Sequence, residues 1–168
     1  MSDLEVAAAF CAVLLILLVV LRLRLRRRDP DRMPGNAILV DGSNVMQWGG
    51  DPSLKVLTRV VKKLEDEGLK PYICFDANVG YKLGDRFAGH DAMAAKLGLS
   101  PKQVFVVDKG VIADGVLLDL AAEHALSIVT NDRFRDWTVT HPWVKDHRRF
   151  RRGTWKQGSV VWGSGRKR

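Results

Sequence analysis

The chain has 168 residues, of which 46% are hydrophobic, and its formal net charge is +8 at pH 7. Two cysteines and four histidines are too few for a disulfide-rich scaffold or for several zinc sites, and the hydrophobic content excludes a disordered chain. The charge is uneven, since residues 1–28 have +3, residues 29–143 have −3 and residues 144–168 have +8. We therefore expect anionic partners, lipid or nucleic acid, at the two ends and acidic chemistry between them.

The first segment, residues 1–28, is predicted to be a transmembrane anchor with a basic flank. Residues 6–21 contain no charged side chain, and flanking arginines that reach the lipid surface lengthen the apolar helix to roughly 33 Å, enough to cross a bilayer. Acidic residues precede the run and arginines follow it, so the positive-inside rule places the N-terminus outside and the remaining chain in the cytoplasm. The alternatives are a cleaved signal peptide, which has the opposite order of charges, and a buried soluble helix.

Residues 29–36 contain two prolines and a glycine without hydrophobic periodicity, which is typical of a linker. The globular domain is predicted to span residues 37–163, and residues 164–168 are a basic tail. Cys11 and Cys74 both lie in apolar runs, so they are interpreted as small apolar residues rather than as a redox pair.

Apolar runs and amphipathic segments alternate along the predicted domain. The predicted elements are a strand at 37–40, a helix at 53–67, a strand at 72–75, a helix at 87–97, a strand at 104–107, a helix at 113–125 and a strand at 127–130. Because each strand is apolar at consecutive positions, it is expected to be buried on both faces. This order predicts an α/β protein, a three-layer sandwich whose central sheet is mainly parallel.

An aspartate lies at the end of each predicted strand. These residues are Asp41, Asp76, Asp108 and Asp132. A single aspartate at such a position is most often a turn former or a helix cap. The carboxyl ends of parallel strands lie at one edge of a sheet, where α/β proteins bind their ligands, so we expect several of these carboxylates to converge.

Converging carboxylates need a counter-charge, because two unit charges about 4 Å apart repel by about 4 kcal/mol at an effective dielectric constant of about 20. Oxygen ligands without accompanying cysteine or histidine favour Mg²⁺ or Mn²⁺ over zinc. Such a cation suits the hydrolysis of a phosphodiester, in which it activates water and offsets the charge on the phosphate. The sequence contains no Walker loop, GxSxG or GxGxxG motif that would indicate another reaction.

Four motifs occur in the order and spacing of a known domain. They are Val40-Asp41-Gly42-Ser43-Asn44-Val45, Phe75-Asp76-Ala77-Asn78, Lys109-Gly110-Val111-Ile112-Ala113-Asp114 and Val129-Thr130-Asn131-Asp132-Arg133-Phe134-Arg135-Asp136. The pattern resembles the NYN domain of the PIN-like nuclease superfamily, in the branch of the Regnase-type endoribonucleases and their bacterial relatives. The resemblance covers residues 37–163 and implies a PIN-like fold, RNA cleavage and a divalent metal.

The resemblance also implies roles for individual residues. Asp41, Asp114 and Asp132 would bind the metal and take part in catalysis, and Asn44 would orient the metal or the phosphate. Asp136 lies four residues after Asp132, so in a helical segment it would join the rim of the site or bind the metal through water. Asn44 and Asp114 are alternatively interpreted as caps of a turn and a helix.

One position departs from the family pattern. The pattern commonly has two adjacent acids where this chain has Ala113-Asp114, so one acid is missing. Asp76 or Asp119 is the candidate substitute, although Asp119 is rotated by roughly 140° from Asp114 on a helix and is alternatively a solvated residue. Two cysteines cannot form the CCCH zinc finger of that family.

The C-terminal stretch from residue 144 is basic and rich in aromatic residues. Four of its arginines, together with two that follow the fourth predicted strand, are predicted to bind RNA. They are Arg148, Arg149, Arg151 and Arg152 in this stretch and Arg133 and Arg135 before it. Arginine matches phosphate, and the interleaved aromatic rings can stack on unpaired bases, so single-stranded RNA is the expected partner. In the resembling family this stretch includes the last helix and a final strand, here at residues 159–162, so some aromatics are alternatively core. The arginines are alternatively contacts to anionic lipid.

The sequence thus predicts a membrane-anchored endoribonuclease that depends on Mg²⁺ or Mn²⁺ and acts in the cytoplasm. The alternatives are a non-catalytic RNA-binding or scaffold module with a degenerate metal site and a DNA structure-specific nuclease. The expected partners are single-stranded RNA and the membrane, and no protein partner is indicated.

Overall fold

The computed structural model describes residues 15–16, 33–84 and 88–163. The chain divides into two compact units, Met1–Met33 and Pro34–Arg168, and the boundary falls within the predicted linker. Within the described ranges there is no helix with the length and hydropathy that a membrane crossing requires. The predicted transmembrane segment, residues 1–28, lies outside the described residues apart from Leu15 and Ile16, so it stays a prediction.

The second unit contains five α-helices and seven strands within its described residues. In chain order they are β1 (Ala37–Asp41), α1 (Gly42–Val45), α2 (Leu54–Asp66), β2 (Lys70–Phe75), α3 (Val79–Leu83), α4 (His90–Leu97), β3 (Val104–Val106), α5 (Ala113–Glu123), β4 (Ile128–Val129), β5 (Phe150–Arg151), β6 (Gly153–Lys156) and β7 (Ser159–Trp162). Short 3₁₀ turns lie at Met46–Gly49, Pro101–Gln103, Arg135–Trp137, Pro142–Lys145 and His147–Arg149. The four strands and three helices predicted between residues 37 and 130 are all present, with shifted ends.

The first five strands form one sheet in the order β3-β2-β1-β4-β5, and every neighbouring pair is parallel. The α/β fold with a mainly parallel central sheet is therefore confirmed. Strand β1 lies at the centre because its apolar residues are buried at every position, which a strand covered on both faces requires.

Helices cover both faces of this sheet. Val40 and Ile73 pack in one apolar cluster with residues of α2 and α4, such as Leu57 and Met93. On the opposite face α5 packs against β1 and β2, with Leu117 buried. The three layers follow from the alternation of side chains along each strand.

The C-terminal part differs from the expectation of a last helix. In the described residues from Trp143 onward there are only 3₁₀ turns and strands, namely β5, β6 and β7. Strands β6 and β7 form an antiparallel hairpin. The predicted final strand at residues 159–162 is confirmed, and Trp155 and Trp162 pack against the apolar core, as the core interpretation of these aromatics predicts.

The order of the strands defines where a ligand binds. The chain proceeds from β1 outward to β2 and β3 and then returns to place β4 and β5 on the other side of β1. A crevice forms at such a reversal, beyond the carboxyl ends of the strands. Helix α1 starts directly at this edge, with Gly42 as its first residue. A Cβ atom at Gly42 would lie only 2.8 Å from Cγ2 of Ile73, so a residue with a side chain would not fit there without a shift of its neighbours.

Candidate active site

Asp41 is the last residue of β1 and the N-cap of α1. Only 8% of it is exposed. Its Oδ1 accepts a hydrogen bond of 3.0 Å from the backbone N–H of Asn44, and its Oδ2 accepts one of 2.9 Å from the hydroxyl of Thr130. The carboxylate is thus fixed between the ends of β1 and β4.

Burial raises the pKa of Asp41 to about 6 from its ordinary value of 3.8. The hydrogen bonds from Asn44 and Thr130 oppose this shift, and the negative charges of Asp114 and Asp76 add to it. A bound cation would favour the ionised form of such a carboxyl group.

Asp114 lies in the first turn of α5, but it does not cap the helix. The N-cap position belongs to Ile112, and no side chain there accepts a capping hydrogen bond. The pKa of Asp114 is raised, first by burial and then by the charges of Asp132 and Asp76. The interpretation of Asp114 as a helix cap is therefore wrong, and its carboxylate is electrostatically coupled to those that follow β2 and β4.

Asp132 belongs to the loop that follows β4. Its Oδ1 accepts a hydrogen bond of 2.7 Å from the N–H of Phe134, and its own N–H donates to the hydroxyl of Thr130 over 3.0 Å. The buried Thr130 hydroxyl therefore links Asp41 to the backbone of Asp132. Thr130 had no predicted role, although a polar residue at the end of an apolar strand is a signal that the sequence contains.

Asn44 connects two loops of the site. Its Oδ1 accepts hydrogen bonds of 3.0 Å from Trp48 Nε1 and 3.0 Å from the N–H of Asn131. Asn131 in turn donates from Nδ2 to the carbonyl of Gly153 over 2.8 Å. Asn44 therefore holds the turn after β1 against the loop after β4, and it is more than the cap of its own turn.

The structure separates the three remaining candidate acids. Asp76 contributes charge to the site but forms an ion pair of 3.0 Å with Lys82. Asp136 is exposed and lines the same cleft as Asp132. Asp119 instead pairs with His141 at 2.9 Å and is not among the charges that shift the pKa of Asp41 or Asp114.

The donor set of the site suits a hard divalent cation. In residues 33–84 and 88–163 there is no preformed group of three or more His, Cys, Asp or Glu side chains that could hold a metal ion. Mg²⁺ does not require one, because it is commonly bound by one or two carboxylates with water and substrate phosphate completing its shell. Two pairs of interacting carboxylates, Asp41 with Asp114 and Asp114 with Asp132, fit this mode of binding.

A cleft of about 550 Å³ opens beside Asp132 and Asp136. Its lining residues are Asn44, Asn131, Asp132, Arg133, Arg135 and Asp136. A second depression of about 730 Å³ shares three of them and is called the basic groove here. The basic groove is lined by Asn131, Arg133, Arg135, Thr138, Val144, Lys145, His147, Arg152 and Thr154. Acidic and basic surfaces therefore adjoin.

The arginines predicted to bind RNA have different environments. Arg133, Arg135 and Arg152 line the basic groove, where Arg152 also donates a hydrogen bond of 2.6 Å to the carbonyl of Asn131. Arg148 is exposed, lies outside the groove and pairs with Asp146 at 2.8 Å.

Arg149 and Arg151 are used within the fold. The guanidinium of Arg149 lies 4.0 Å above the ring of Trp143 and donates to the carbonyl of Leu126 over 2.9 Å. That of Arg151 lies 4.0 Å above the ring of Trp162 and pairs with Glu67 at 2.6 Å. These contacts occupy both guanidinium groups, so we assign Arg149 and Arg151 to the packing of the C-terminal strands rather than to RNA.

Comparison with known proteins gives one family and one fold. Residues 35–161 match the family model of the Zc3h12a-like ribonuclease NYN domain, and no curated protein sequence matches significantly. Two structures of nuclear protein-only RNase P 2 (PRORP2) from Arabidopsis thaliana are similar to this chain, with 22% and 21% identity and TM-scores of 0.61 and 0.60. The matches cover 97% and 96% of this chain but only 37% and 36% of those chains. The likeness to these structures is one of fold.

Proposed function

We propose that this chain, which belongs to the Zc3h12a-like ribonuclease NYN domain family, is a divalent-metal-dependent endoribonuclease that cleaves single-stranded RNA. The main support is the Thr130 hydroxyl, which links the carboxylate of Asp41 to the backbone of Asp132 at one edge of the sheet, beside a groove lined by basic side chains. The charge of Asp114 also acts on Asp41. The acids offer a cation site, and the groove offers a path for a chain of phosphates.

In this proposal Mg²⁺ or Mn²⁺ is bound by one or two of the carboxylates of Asp41, Asp114 and Asp132 at a time, with water and substrate phosphate completing its shell. When bound, the cation supplies Lewis-acid stabilisation of the scissile phosphate and activation of the attacking water. Asp136 is a further candidate ligand because it is exposed in the same cleft. Asp76 adds negative charge while remaining paired with Lys82.

The other residues of the site position these acids and the substrate. Thr130 and Asn44 fix the end of β1 against the loop after β4 through hydrogen bonds of 2.9 and 3.0 Å. Arg133 and Arg135 line the same cleft as Asp132. Their guanidinium groups are therefore placed to bind phosphate oxygens of a strand that enters the cleft.

The choice between RNA and DNA is tested by incubating the full chain with RNA and DNA versions of one single-stranded oligonucleotide in Mn²⁺. We expect internal cleavage of the RNA only, and we expect Asp132→Asn to remove it while leaving the thermal unfolding transition in place. Equal cleavage of the RNA and DNA oligonucleotides would contradict the RNA preference, and preferential cleavage of the DNA would favour a DNA nuclease. Cleavage by Asp132→Asn at the wild-type rate would exclude Asp132 from catalysis.

A non-catalytic RNA-binding module is the second candidate function. It is favoured by Ala113, which stands where the family pattern commonly has a second acid. Such a module would bind the RNA oligonucleotide without cleaving it, and Mn²⁺ would not raise its unfolding temperature.

We also propose that residues 1–28 anchor the protein in a membrane as a single-pass segment, with the domain on the cytoplasmic side. The support is the uncharged run at residues 6–21 and the arginines that follow it.

A further inference from the structure

Large apolar side chains are exposed at few positions of the domain. Within residues 33–84 and 88–163 these are Tyr81, Val111, Ile112, Val139 and Val161. Three of the five follow β2 or β3 and so lie toward the edge of the sheet where the acids converge. We call Tyr81, Val111 and Ile112 the apolar rim.

Tyr81 is held close to the acidic site by its neighbours in the chain. It lies in α3, five residues after Asp76, and the backbone N–H of Tyr81 donates to the carbonyl of Asn78 over 3.1 Å. The next residue, Lys82, pairs with Asp76 at 3.0 Å. This pair ties α3 to the end of β2, while 62% of Tyr81 is exposed.

Val111 and Ile112 immediately precede α5 and Asp114. Ile112 is the N-cap residue of that helix and is 66% exposed, and Val111 is 48% exposed. The N–H of Val111 donates to the carbonyl of Asp108 over 3.0 Å, which shapes the turn. Two apolar side chains are thus exposed within three residues of a site carboxylate.

The apolar rim and the basic groove lie on opposite sides of β1. The rim follows β2 and β3, whereas Arg133 and Arg135 follow β4, and the sheet order is β3-β2-β1-β4-β5. A strand that crosses the acids from the groove therefore meets apolar side chains on the far side. Unpaired bases stack on aromatic rings, and phosphates bind guanidinium groups.

We propose that the apolar rim holds an unpaired base of the RNA strand, with Tyr81 as the stacking surface, while the basic groove binds the backbone on the other side of the scissile phosphate. This inference rests on the proposed function, because it takes RNA as the ligand. It makes Tyr81 a substrate-positioning residue of the site.

The test measures the dissociation constant of the full chain for a single-stranded RNA of about 12 nucleotides, a length suited to one such site, in EDTA so that binding is separated from cleavage. The RNA is compared with versions that lack one base at each position in turn. We expect one abasic position to weaken binding by the wild type about 5- to 150-fold. Tyr81→Ala should weaken binding of intact RNA similarly and lose its sensitivity to that position, because the two changes remove the same contact.

Two variants serve as controls. Tyr81→Phe keeps the ring and should bind like the wild type. Val139→Ala alters a side chain that is 87% exposed and outside the site, and it should leave every dissociation constant unchanged. A thermal unfolding curve for each variant checks that the fold is intact.

If removing that base weakened binding equally in the wild type and in Tyr81→Ala, the proposed stacking of a base on Tyr81 would be refuted. Base-specific coupling in a protein that does not cleave RNA would support the rim and refute the nuclease. RNA cleavage without coupling between the abasic position and Tyr81→Ala would refute the base-binding role of the apolar rim and leave the nuclease proposal standing.

Discussion

Replacing Asp41 by Asn should lower the rate of RNA cleavage at saturating substrate about 100- to 1000-fold, the loss typical of removing one group that stabilises charge in a transition state. The amide cannot supply the negative charge that a divalent cation requires, while its size suits the space between Asn44 and Thr130. The rate is measured with a labelled single-stranded RNA in Mn²⁺. Wild-type turnover by the variant would remove Asp41 from the mechanism.

The same substitution should stabilise the metal-free protein at neutral pH. Well below pH 3.8 the Asp41 carboxyl is protonated in both the folded and unfolded states, so its ionisation has no effect on stability there. Between its ordinary pKa of 3.8 and its folded pKa of about 6, the folded protein keeps a proton that the unfolded chain has released, so the free energy of unfolding falls as the pH rises. Above pH 6 this decrease in the free energy of unfolding is nearly complete and amounts to about 3 kcal/mol.

Asp41→Asn removes this loss but weakens hydrogen bonds that the carboxylate accepts, so we expect a net gain of about 1 to 2 kcal/mol at pH 7 and none at about pH 3. Urea unfolding in EDTA at the two pH values measures it. Asp51→Asn, a change at an exposed aspartate, is the matched control and should have no such effect. An equal dependence on pH in wild type and Asp41→Asn would contradict the assigned pKa.

Removing three positive charges from the basic groove should weaken RNA binding about 100-fold at 0.1 M salt. Each phosphate contact on a single strand contributes about −0.7 to the slope of log affinity against log salt, so changing Arg133, Arg135 and Lys145 to Ala should flatten the slope by about 2. Arg152 is left in place because it supports Asn131. Fluorescence anisotropy over a series of salt concentrations measures both quantities.

The matched control removes the same net charge elsewhere. Lys55, Arg59 and Lys62 are exposed on α2 and do not line the groove, so their triple change to Ala should leave the slope nearly unaltered. If the control variant flattened the slope as much as the groove variant, the attraction would come from net charge and not from the groove.

The fold was largely predictable because its central strands are continuous apolar runs. Strand β1 was predicted at 37–40 and spans Ala37–Asp41, since local sequence alone indicates burial on both faces. Strand β5 was not predicted because Phe150-Arg151 is not part of an apolar run, and pairing with β4 rather than local periodicity defines it.

The site residues that come at or soon after the end of a strand were predictable from the sequence. Contacts between residues that are far apart in the chain were not. The positions of Asp41 at the end of β1 and of Asp132 in the loop after β4 could be predicted from the apolar strands that precede them. The pairing of Arg151 with Glu67 joins the C-terminal strands to the end of α2, and no spacing rule relates such distant positions. For the same reason an arginine cluster that suggested RNA binding proved to include two residues used in packing.

The dependence of RNA cleavage on a divalent cation tests the proposed function most simply. The rate of cleavage of one single-stranded oligonucleotide by the full chain is measured in EDTA and at increasing Mn²⁺ concentration. We expect no internal cleavage in EDTA and a rate that rises with Mn²⁺ to saturation. Cleavage in EDTA at the rate seen in saturating Mn²⁺ would contradict this expectation.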